Sequence, residues 1–289
     1  MIRKLANKLN EYGKLVMFSH TIFSLAFAAV ALLAVSGGRP DPEIVFWAAL
    51  AFLSARTGAN ALNRVVDARI DAKNPRTAGR QIPRGQVGKK ETLALVIVCF
   101  LLMVISASRL NLLCLFLSPL ALLLMTVYSY TKRFTWMCHL VLGITCACAP
   151  VGAWLAVTGK FSLIPLFFGA ANCLWTAGFD IIYGSQDYEF DKANGLHSIP
   201  VRFGVKGGLL ISSLFHAAAL LCLCAAGALL YPQFGVLYGT GLGIIAVLMV
   251  VQHRIVSPDH LENVNIASYS ISQITSIVLL VIGILDVYL

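Results

Sequence analysis

Long stretches of this 289-residue chain contain no Asp, Glu, Lys or Arg, among them 110–131, 134–159, 161–179, 207–253 and 263–285. A transmembrane α-helix needs about 20 consecutive apolar residues, so these stretches predict membrane spans and not the core of a soluble domain. Only 12% of all residues are charged, against about 25% in an average soluble domain. The chain is therefore not an ordinary soluble globule, and its composition also excludes disorder and disulfide-rich secreted scaffolds.

Hydrophobicity predicts nine helices, and so an all-α integral membrane protein. The predicted spans are 15–35, 43–66, 92–108, 111–130, 137–157, 162–184, 207–230, 235–253 and 267–288. The N-terminus begins like a signal peptide, but its apolar run continues to Val35, which predicts a retained first helix. Because no linker or low-complexity tract interrupts the chain, residues 1–289 are interpreted as one domain.

The distribution of basic residues is consistent with nine spans. Eighteen of the 22 lysines and arginines fall before the first span or in the second, fourth, sixth and eighth connections, all on one side of the membrane. The opposite side has only Arg39, Arg109 and Lys160, while Arg56 lies within a span. By the positive-inside rule this predicts a cytoplasmic N-terminus and a C-terminus outside. The net charge of +9 then reflects membrane lipid as a partner and requires no nucleic acid.

A row of polar side chains lies at the end of the second predicted span and just beyond it. If that helix continues to Asp71, then Arg56, Asn60, Asn63, Asp67 and Asp71 share one face, because they are spaced by three or four residues. An ionisable group within a span usually faces a polar cavity or a partner, which places Arg56 in the candidate site.

The sixth span repeats this arrangement as Asp180, Tyr183, Asp187 and Asp191, on the same predicted side. Like charges at positions i and i+4 of a helix repel one another. A cation between the two rows would offset this repulsion, so the pattern predicts a cation site. Carboxylate and amide oxygens are ligands that suit Mg²⁺, with substrate phosphates completing its shell. The alternative is that these aspartates are solvated loop charges.

Basic and aromatic residues near the carboxylates indicate which ligand the metal would accompany, and they favour a magnesium-bridged diphosphate. Guanidinium groups bind phosphate oxygens as a fork, and lysine adds a point charge. The candidate diphosphate-binding residues are Arg76, Arg80, Tyr128, Lys132 and Arg202. The alternative is that the positive-inside bias alone places basic residues here.

Three motifs resemble the signatures of the UbiA superfamily of membrane-embedded aromatic prenyltransferases. They are Asn63-x-x-x-Asp67-x-x-x-Asp71, Tyr128-x-x-x-Lys132 and Asp180-x-x-Tyr183-x-x-x-Asp187-x-x-x-Asp191. The resemblance implies nine helices around a central cavity. It also implies that the two aspartate-rich motifs, including Asn63, bind two Mg²⁺ ions and an isoprenoid diphosphate, and that Arg56 is a cavity arginine.

Further segments, among them 74–80 and 128–136, resemble the bacterial 4-hydroxybenzoate polyprenyltransferase-like branch, many of whose members are thought to serve the futalosine route to menaquinone. Early in the first helix, however, classical 4-hydroxybenzoate enzymes have a motif similar to Arg-x-x-Lys-Pro, whereas this chain has Phe18-Ser19-His20-Thr21-Ile22. His20, Asn60, Asp180 and Tyr183 are therefore candidate cavity residues around an acceptor that the sequence leaves open.

The resemblance implies magnesium-dependent transfer of a polyprenyl group from polyprenyl diphosphate to an aromatic acceptor. The acceptor would be 4-hydroxybenzoate-like or 1,4-dihydroxy-6-naphthoate, in respiratory quinone biosynthesis at the inner (cytoplasmic) membrane, with the active site towards the cytoplasm. Asp67, Asp71, Asp187, Asp191, Arg56 and Lys132 are then the catalytic candidates. The alternatives are a UbiA-type enzyme with another acceptor, a secondary transporter, or a cation-binding membrane protein.

Overall fold

The computed structural model describes residues 10–16 and 21–289, without the side chain at position 22. Over this part of the chain the structure is helical, and no β-strand is formed. The α-helices are α1 (Ile22–Val35), α2 (Pro42–Asp71), α3 (Lys89–Leu110), α4 (Leu112–Thr131), α5 (Cys138–Thr158), α6 (Ile164–Gly184), α7 (Tyr188–Ala193), α8 (Ile199–Leu229), α9 (Val236–Arg254) and α10 (Ser272–Tyr288). A 3₁₀ turn, Ser185–Asp187, joins α6 to α7, and a π-helix, Ile266–Ile271, precedes α10.

Eight helices in the described residues are long and apolar enough to cross a membrane. They confirm the prediction of an all-helical, multi-pass membrane protein. The first predicted span, 15–35, includes residues 17–20, which lie outside the described residues, and α1 itself has 14 residues. Nine spans and the sides of the two termini therefore stay predictions.

The core and the outer surface of the bundle are both apolar, as expected for a protein whose solvent is lipid. Trp175 of α6 is buried among side chains of α1, α8 and α9, including Phe27, Leu223 and Ile245. On the outside, Phe116 of α4 is 75% exposed. Large apolar residues exposed to this degree on soluble proteins mark binding surfaces, whereas here they face the bilayer.

Polar side chains determine where several helices begin. Asp41, Asn111 and Ser198 each accept a hydrogen bond from a backbone N–H in the first turn of α2, α4 and α8, respectively. Such N-caps satisfy amide groups that have no partner within the helix. At its other end α2 continues to Asp71, as the shared polar face requires.

The predicted sixth span, 162–184, agrees with α6, which ends at Gly184. The 3₁₀ turn Ser185–Asp187 then interrupts the helix before Asp191. With about 3.0 residues per turn, it changes the direction of the side chains that follow. The seventh span starts at Ile199 and not near 207, with a break at Gly204, where φ is 72° and ψ is 164°. Only glycine adopts these angles readily.

The backbones of α5 and α6 approach each other closely at Gly143. A Cβ atom at position 143 would lie 2.3 Å from the carbonyl oxygen of Cys173. Small residues at such contacts allow membrane helices to pack backbone against backbone. This contact fixes the spacing between the two helices that carry His139 and Asp180.

We expect Gly143→Ala to destabilise the protein by about 1–3 kcal/mol, because the added methyl group forces the two backbones apart. Gly152→Ala is the matched control on the same helix, since a Cβ atom there would meet no atom within 4 Å. Thermal unfolding of both purified variants in detergent measures the difference. Equal melting temperatures would show that the contact at Gly143 does not constrain the bundle.

Candidate active site

A cavity of about 250 Å³ is bordered by α2, α4, α5 and α6 and by the connection 72–88. It brings together residues from both carboxylate rows and from the basic motifs. The sequence-predicted residues that line it are Arg56, Asn60, Asn63, Asp67, Asp71, Arg76, Arg80, Tyr128, Lys132, Asp180, Tyr183, Asp187 and Asp191. Residues up to 135 positions apart in the chain, Arg56 and Asp191, therefore meet at one site.

Asp67 is 3% exposed and is held by two cations. Lys132 Nζ lies 2.7 Å from one carboxylate oxygen, and Arg133 lies 2.9 Å from the other. Asn63 Nδ2 also donates a hydrogen bond to Asp67, at 3.1 Å. Because Arg133 donates to the carbonyl oxygens of Val66 and Ser129 as well, it connects the end of α4 to α2.

Asp71, one turn further along α2, is equally buried. Arg80 donates a hydrogen bond of 2.6 Å to its Oδ1 atom, and Thr77 donates to its backbone carbonyl oxygen. The connection after α2 thus folds back over the end of the helix. Among the described residues, the second carboxylate oxygen, Oδ2, has no hydrogen-bond partner although it is buried.

Asp187 makes contacts with the same connection from the opposite side of the cavity. Arg76 forms an ion pair with it and also donates to the Tyr183 hydroxyl, and Asn74 Nδ2 donates to Asp187 Oδ1 at 2.8 Å. Burial alone would lower the pKa of the Arg76 guanidinium, but the hydrogen bond and charge of Asp187, together with Tyr183, raise that pKa above its ordinary value. Arg76 therefore stays a cation.

Asp180 pairs with a histidine that the sequence analysis did not single out. His139, in the first turn of α5, places its Nδ1 atom 2.8 Å from Asp180 Oδ2. The histidine side chain is 6% exposed, and the carboxylate is 28% exposed. Both residues line the cavity.

The remaining predicted residues differ in their local contacts. Asn60 donates a hydrogen bond of 2.6 Å to the carbonyl oxygen of Val16, and Tyr128 donates to that of Ala59 at 3.4 Å. Arg202 is not among the residues that line the cavity; it lies in the first turn of α8, where its amide bonds to Ser198. His20 lies outside the described residues.

In the part of the chain that the structure describes, no three His, Cys, Asp or Glu side chains lie close enough together to hold a metal ion. The reason is electrostatic, since Asp67, Asp71 and Asp187 each bind a basic side chain. The donor set nevertheless fits Mg²⁺, which prefers carboxylate oxygens. The buried Asp71 Oδ2, which lacks a hydrogen-bond partner among the described residues, is such an oxygen, and a cation would satisfy it once Arg80 moves.

Several site residues were not predicted as such from the sequence. Asn74 and Arg133 lie inside segments whose neighbours were singled out, so their closeness to motif residues was an available signal. His139 and Tyr269 lie in apolar spans, where a lone polar side chain usually belongs to the core. Only the packing of α5 and of the π-helix against α6 places both residues at the cavity.

A model of the UbiA prenyltransferase family matches residues 24–274 of this chain. Among curated proteins, the 4-hydroxybenzoate octaprenyltransferase of Shewanella pealeana is 31% identical over 241 residues, which cover 82% of this chain and 83% of that protein. The match confirms the resemblance identified from the three motifs.

Solved structures agree with this result. The apo structure of a UbiA homologue from Aeropyrum pernix K1 superimposes with a TM-score of 0.84 and 32% identity, covering 93% of this chain and 98% of that one. A UbiA homologue from Archaeoglobus fulgidus bound to GPP and Mg²⁺ has a TM-score of 0.70 and 18% identity, covering 96% of this chain and all of that one. At 18% identity the second comparison shows a shared fold.

We expect Asp67→Asn to destabilise the ligand-free protein by about 1–3 kcal/mol, because the substitution leaves Lys132 and Arg133 without their buried counter-charge. Both cations are partly exposed, so water offsets part of the loss. Glu189→Gln is the control, since Glu189 is exposed and does not line the cavity. Thermal unfolding in detergent measures both, and an unchanged melting temperature for Asp67→Asn would contradict the expectation.

Proposed function

Because this chain belongs to the UbiA prenyltransferase family and is a membrane prenyltransferase, we propose that it transfers a polyprenyl group from polyprenyl diphosphate to an aromatic hydroxy acid in respiratory quinone biosynthesis. The observation that carries this proposal is the meeting, at one cavity, of both aspartate motifs and the three basic side chains Arg76, Arg80 and Lys132 that pair with them. Family membership argues against the transporter and the cation-binding protein raised by the sequence.

The basic residues would bind the diphosphate of the donor substrate. Arg76 and Arg80 offer planar guanidinium forks for phosphate oxygens, and Lys132 adds a point charge from the other side of the cavity. In the ligand-free protein these three cations neutralise the aspartates. Binding would exchange carboxylate partners for phosphate partners, so the cations remain paired in both states.

Asn63, Asp67, Asp71, Asp187 and Asp191 would hold the Mg²⁺ ions. When bound, magnesium supplies positive charge that stabilises the departing diphosphate. The aspartates become available for this role as their cations turn towards the phosphates. The exchange keeps opposite charges adjacent within a site of low dielectric constant, where an unpaired charge is costly.

Departure of diphosphate leaves allylic carbocation character at C1 of the isoprenoid. Fixed charges that meet the developing negative charge lower the barrier, because they need no reorganisation during the reaction. A cavity walled by helices also keeps water from quenching the cation.

The acceptor and the sidedness belong to this proposal too. The curated relative acts, by its name, on 4-hydroxybenzoate. At Phe18–Ile22, however, this chain lacks the motif of the classical 4-hydroxybenzoate enzymes, so 1,4-dihydroxy-6-naphthoate is a second candidate acceptor. The excess of lysine and arginine at the cavity end of the helices supports an active site towards the cytoplasm, in the inner membrane. Residues 1–289 would act as one catalytic domain.

We expect Asp71→Asn and Asp187→Asn each to lower prenyl transfer at least 100-fold, on the order of an electrostatic contribution of about 3 kcal/mol or more. Glu189→Gln, on α7 between two motif aspartates, should keep wild-type activity. The measurement is product mass from membranes supplied with Mg²⁺, prenyl diphosphate and acceptor. Full magnesium-dependent turnover in either aspartate variant would contradict the proposed role of that aspartate in holding Mg²⁺.

We expect product from one of two acceptors offered in parallel, 4-hydroxybenzoate and 1,4-dihydroxy-6-naphthoate, with a long-chain prenyl diphosphate and Mg²⁺. Product mass identifies the acceptor, and omission of Mg²⁺ should abolish product because the diphosphate charge is then not neutralised. Prenylated 4-hydroxybenzoate indicates a ubiquinone-type pathway, and prenylated naphthoate indicates menaquinone synthesis. Absence of both products would contradict the proposed acceptor class.

A further inference from the structure

Only one of the two ring nitrogens of His139 has a hydrogen-bond partner among the described residues. Its Nδ1 atom bonds to Asp180 Oδ2 at 2.8 Å. Its Nε2 atom is buried and, among the described residues, has no hydrogen-bond partner. A buried imidazole nitrogen without a partner is costly, so it points to a group that arrives with a substrate.

The pairing with Asp180 defines which nitrogen can accept a proton. An ionised carboxylate accepts hydrogen bonds and donates none, so Nδ1 carries the proton that binds Asp180. The neutral ring then has its lone pair on Nε2. An aspartate that holds a histidine in this tautomer, and balances the charge that forms on protonation, is the arrangement of a general base.

Gly184 packs against the edge of the imidazole that carries Nε2. A Cβ atom at Gly184 would lie 3.0 Å from Cε1 and 3.6 Å from Nε2 of His139. Alanine there would therefore press against the ring at the edge that carries the lone pair. Gly184 and His139 are both among the residues that line the cavity.

Aromatic rings form the neighbouring wall of the cavity. Phe179 lies 5.2 Å from Phe23, and Tyr183 lies 4.8 Å from Tyr269, between ring centroids. Asp180 lies between Phe179 and Tyr183 in the chain and seven residues before Asp187, which is roughly 10 Å along a helix. A flat aromatic acceptor thus has ring surfaces to pack on. Phe179 and Phe23 lie on the Asp180 side of this wall, whereas Tyr183 also contacts Arg76 of the diphosphate site.

We propose that His139 is the general base of the transfer reaction, removing the ring proton of the acceptor through Nε2, with Asp180 as its positioning residue. This inference rests on the proposed function. The C1–O bond of the prenyl diphosphate breaks, and its electron pair leaves with the diphosphate. A π pair of the acceptor ring, ortho to the hydroxyl, forms the new bond to C1. Nε2 takes the proton from that ring carbon, and the C–H electron pair restores aromaticity.

The test measures kcat of His139→Gln with 4-hydroxybenzoate carrying either hydrogen or deuterium at both positions ortho to the hydroxyl. Glutamine keeps hydrogen bonding but cannot take the proton. We expect kcat to fall about 10²–10⁴-fold, the usual contribution of general base catalysis. A primary isotope effect on kcat should appear in the variant and be absent in the wild type, because proton removal becomes the slow step. KM for prenyl diphosphate should not change.

His260→Gln is the matched control, since His260 is exposed and does not line the cavity. His139→Ala provides a second variant should glutamine prevent folding, and it should show the same isotope effect. The proposal is overturned by wild-type transfer in either variant, by loss of transfer without an isotope effect, or by a parallel loss of prenyl diphosphate binding.

Failure of the proposed function gives a different result. If wild-type protein prenylates only the naphthoate, the isotope experiment is run with that acceptor, deuterated ortho to its hydroxyls, and the expected results are unchanged. If wild-type protein prenylates neither acceptor, the proposed function fails, and the role of His139 as its base fails with it.

Discussion

Pairing of buried charges is the constraint on which this site depends. Asp67 and Asp71 are each 3% exposed, in a protein whose outer surface faces hydrocarbon. Without partners, such carboxylates would lose most of their hydration and gain nothing in return. Lys132, Arg133 and Arg80 provide that compensation. Since these cations come from the residues just after α4 and from the connection after α2, the charge pairs also determine how those segments fold over the cavity.

The same pairing bears on the proposed function. Asp67, Asp71 and Asp187 each pair with a basic side chain in this structure. Under the proposed function each of them exchanges that partner for a metal ion, so no buried charge is left alone in either state. Breaking a buried pair by removing one partner is far more costly than exchanging the partner. A site of this kind can therefore bind a highly charged substrate without large strain in its empty form.

The sequence predicts much of this molecule because its strongest signals are local. Uncharged runs locate the spans, and spacing by three or four residues places the α2 row on one face that the structure brings to the cavity. The row that begins at Asp180 also lines the cavity, although the 3₁₀ turn Ser185–Asp187 interrupts the helix between Asp180 and Asp191. The break at Gly204 could not be predicted from the apolar residues around it either, because their pattern does not change there. Both depend on backbone conformations that hydrophobicity does not report.

Contacts between side chains on distant segments are the second feature that the sequence does not predict. His139 lies in an apolar span, where isolated polar residues are usually core residues, and its relation to Asp180 exists only once α5 and α6 pack together. Asn74 contacts Asp187 across 113 positions of the chain. The thirteen predicted residues that line the cavity carry local sequence signals. His139 carries none, and it joins them through a tertiary contact alone.

The contact at Gly143 has a mechanical consequence for the His139–Asp180 pair. Side chains that pack through methyl groups can slide or change rotamer, so helices joined by them shift under thermal motion. Here a glycine on one helix lies against a backbone carbonyl on the next, and neither group has a rotamer to change. The junction of α5 and α6 is consequently stiff at this point. Changes in bilayer thickness or lipid composition would tilt the surrounding helices while the distance between imidazole and carboxylate stays constant.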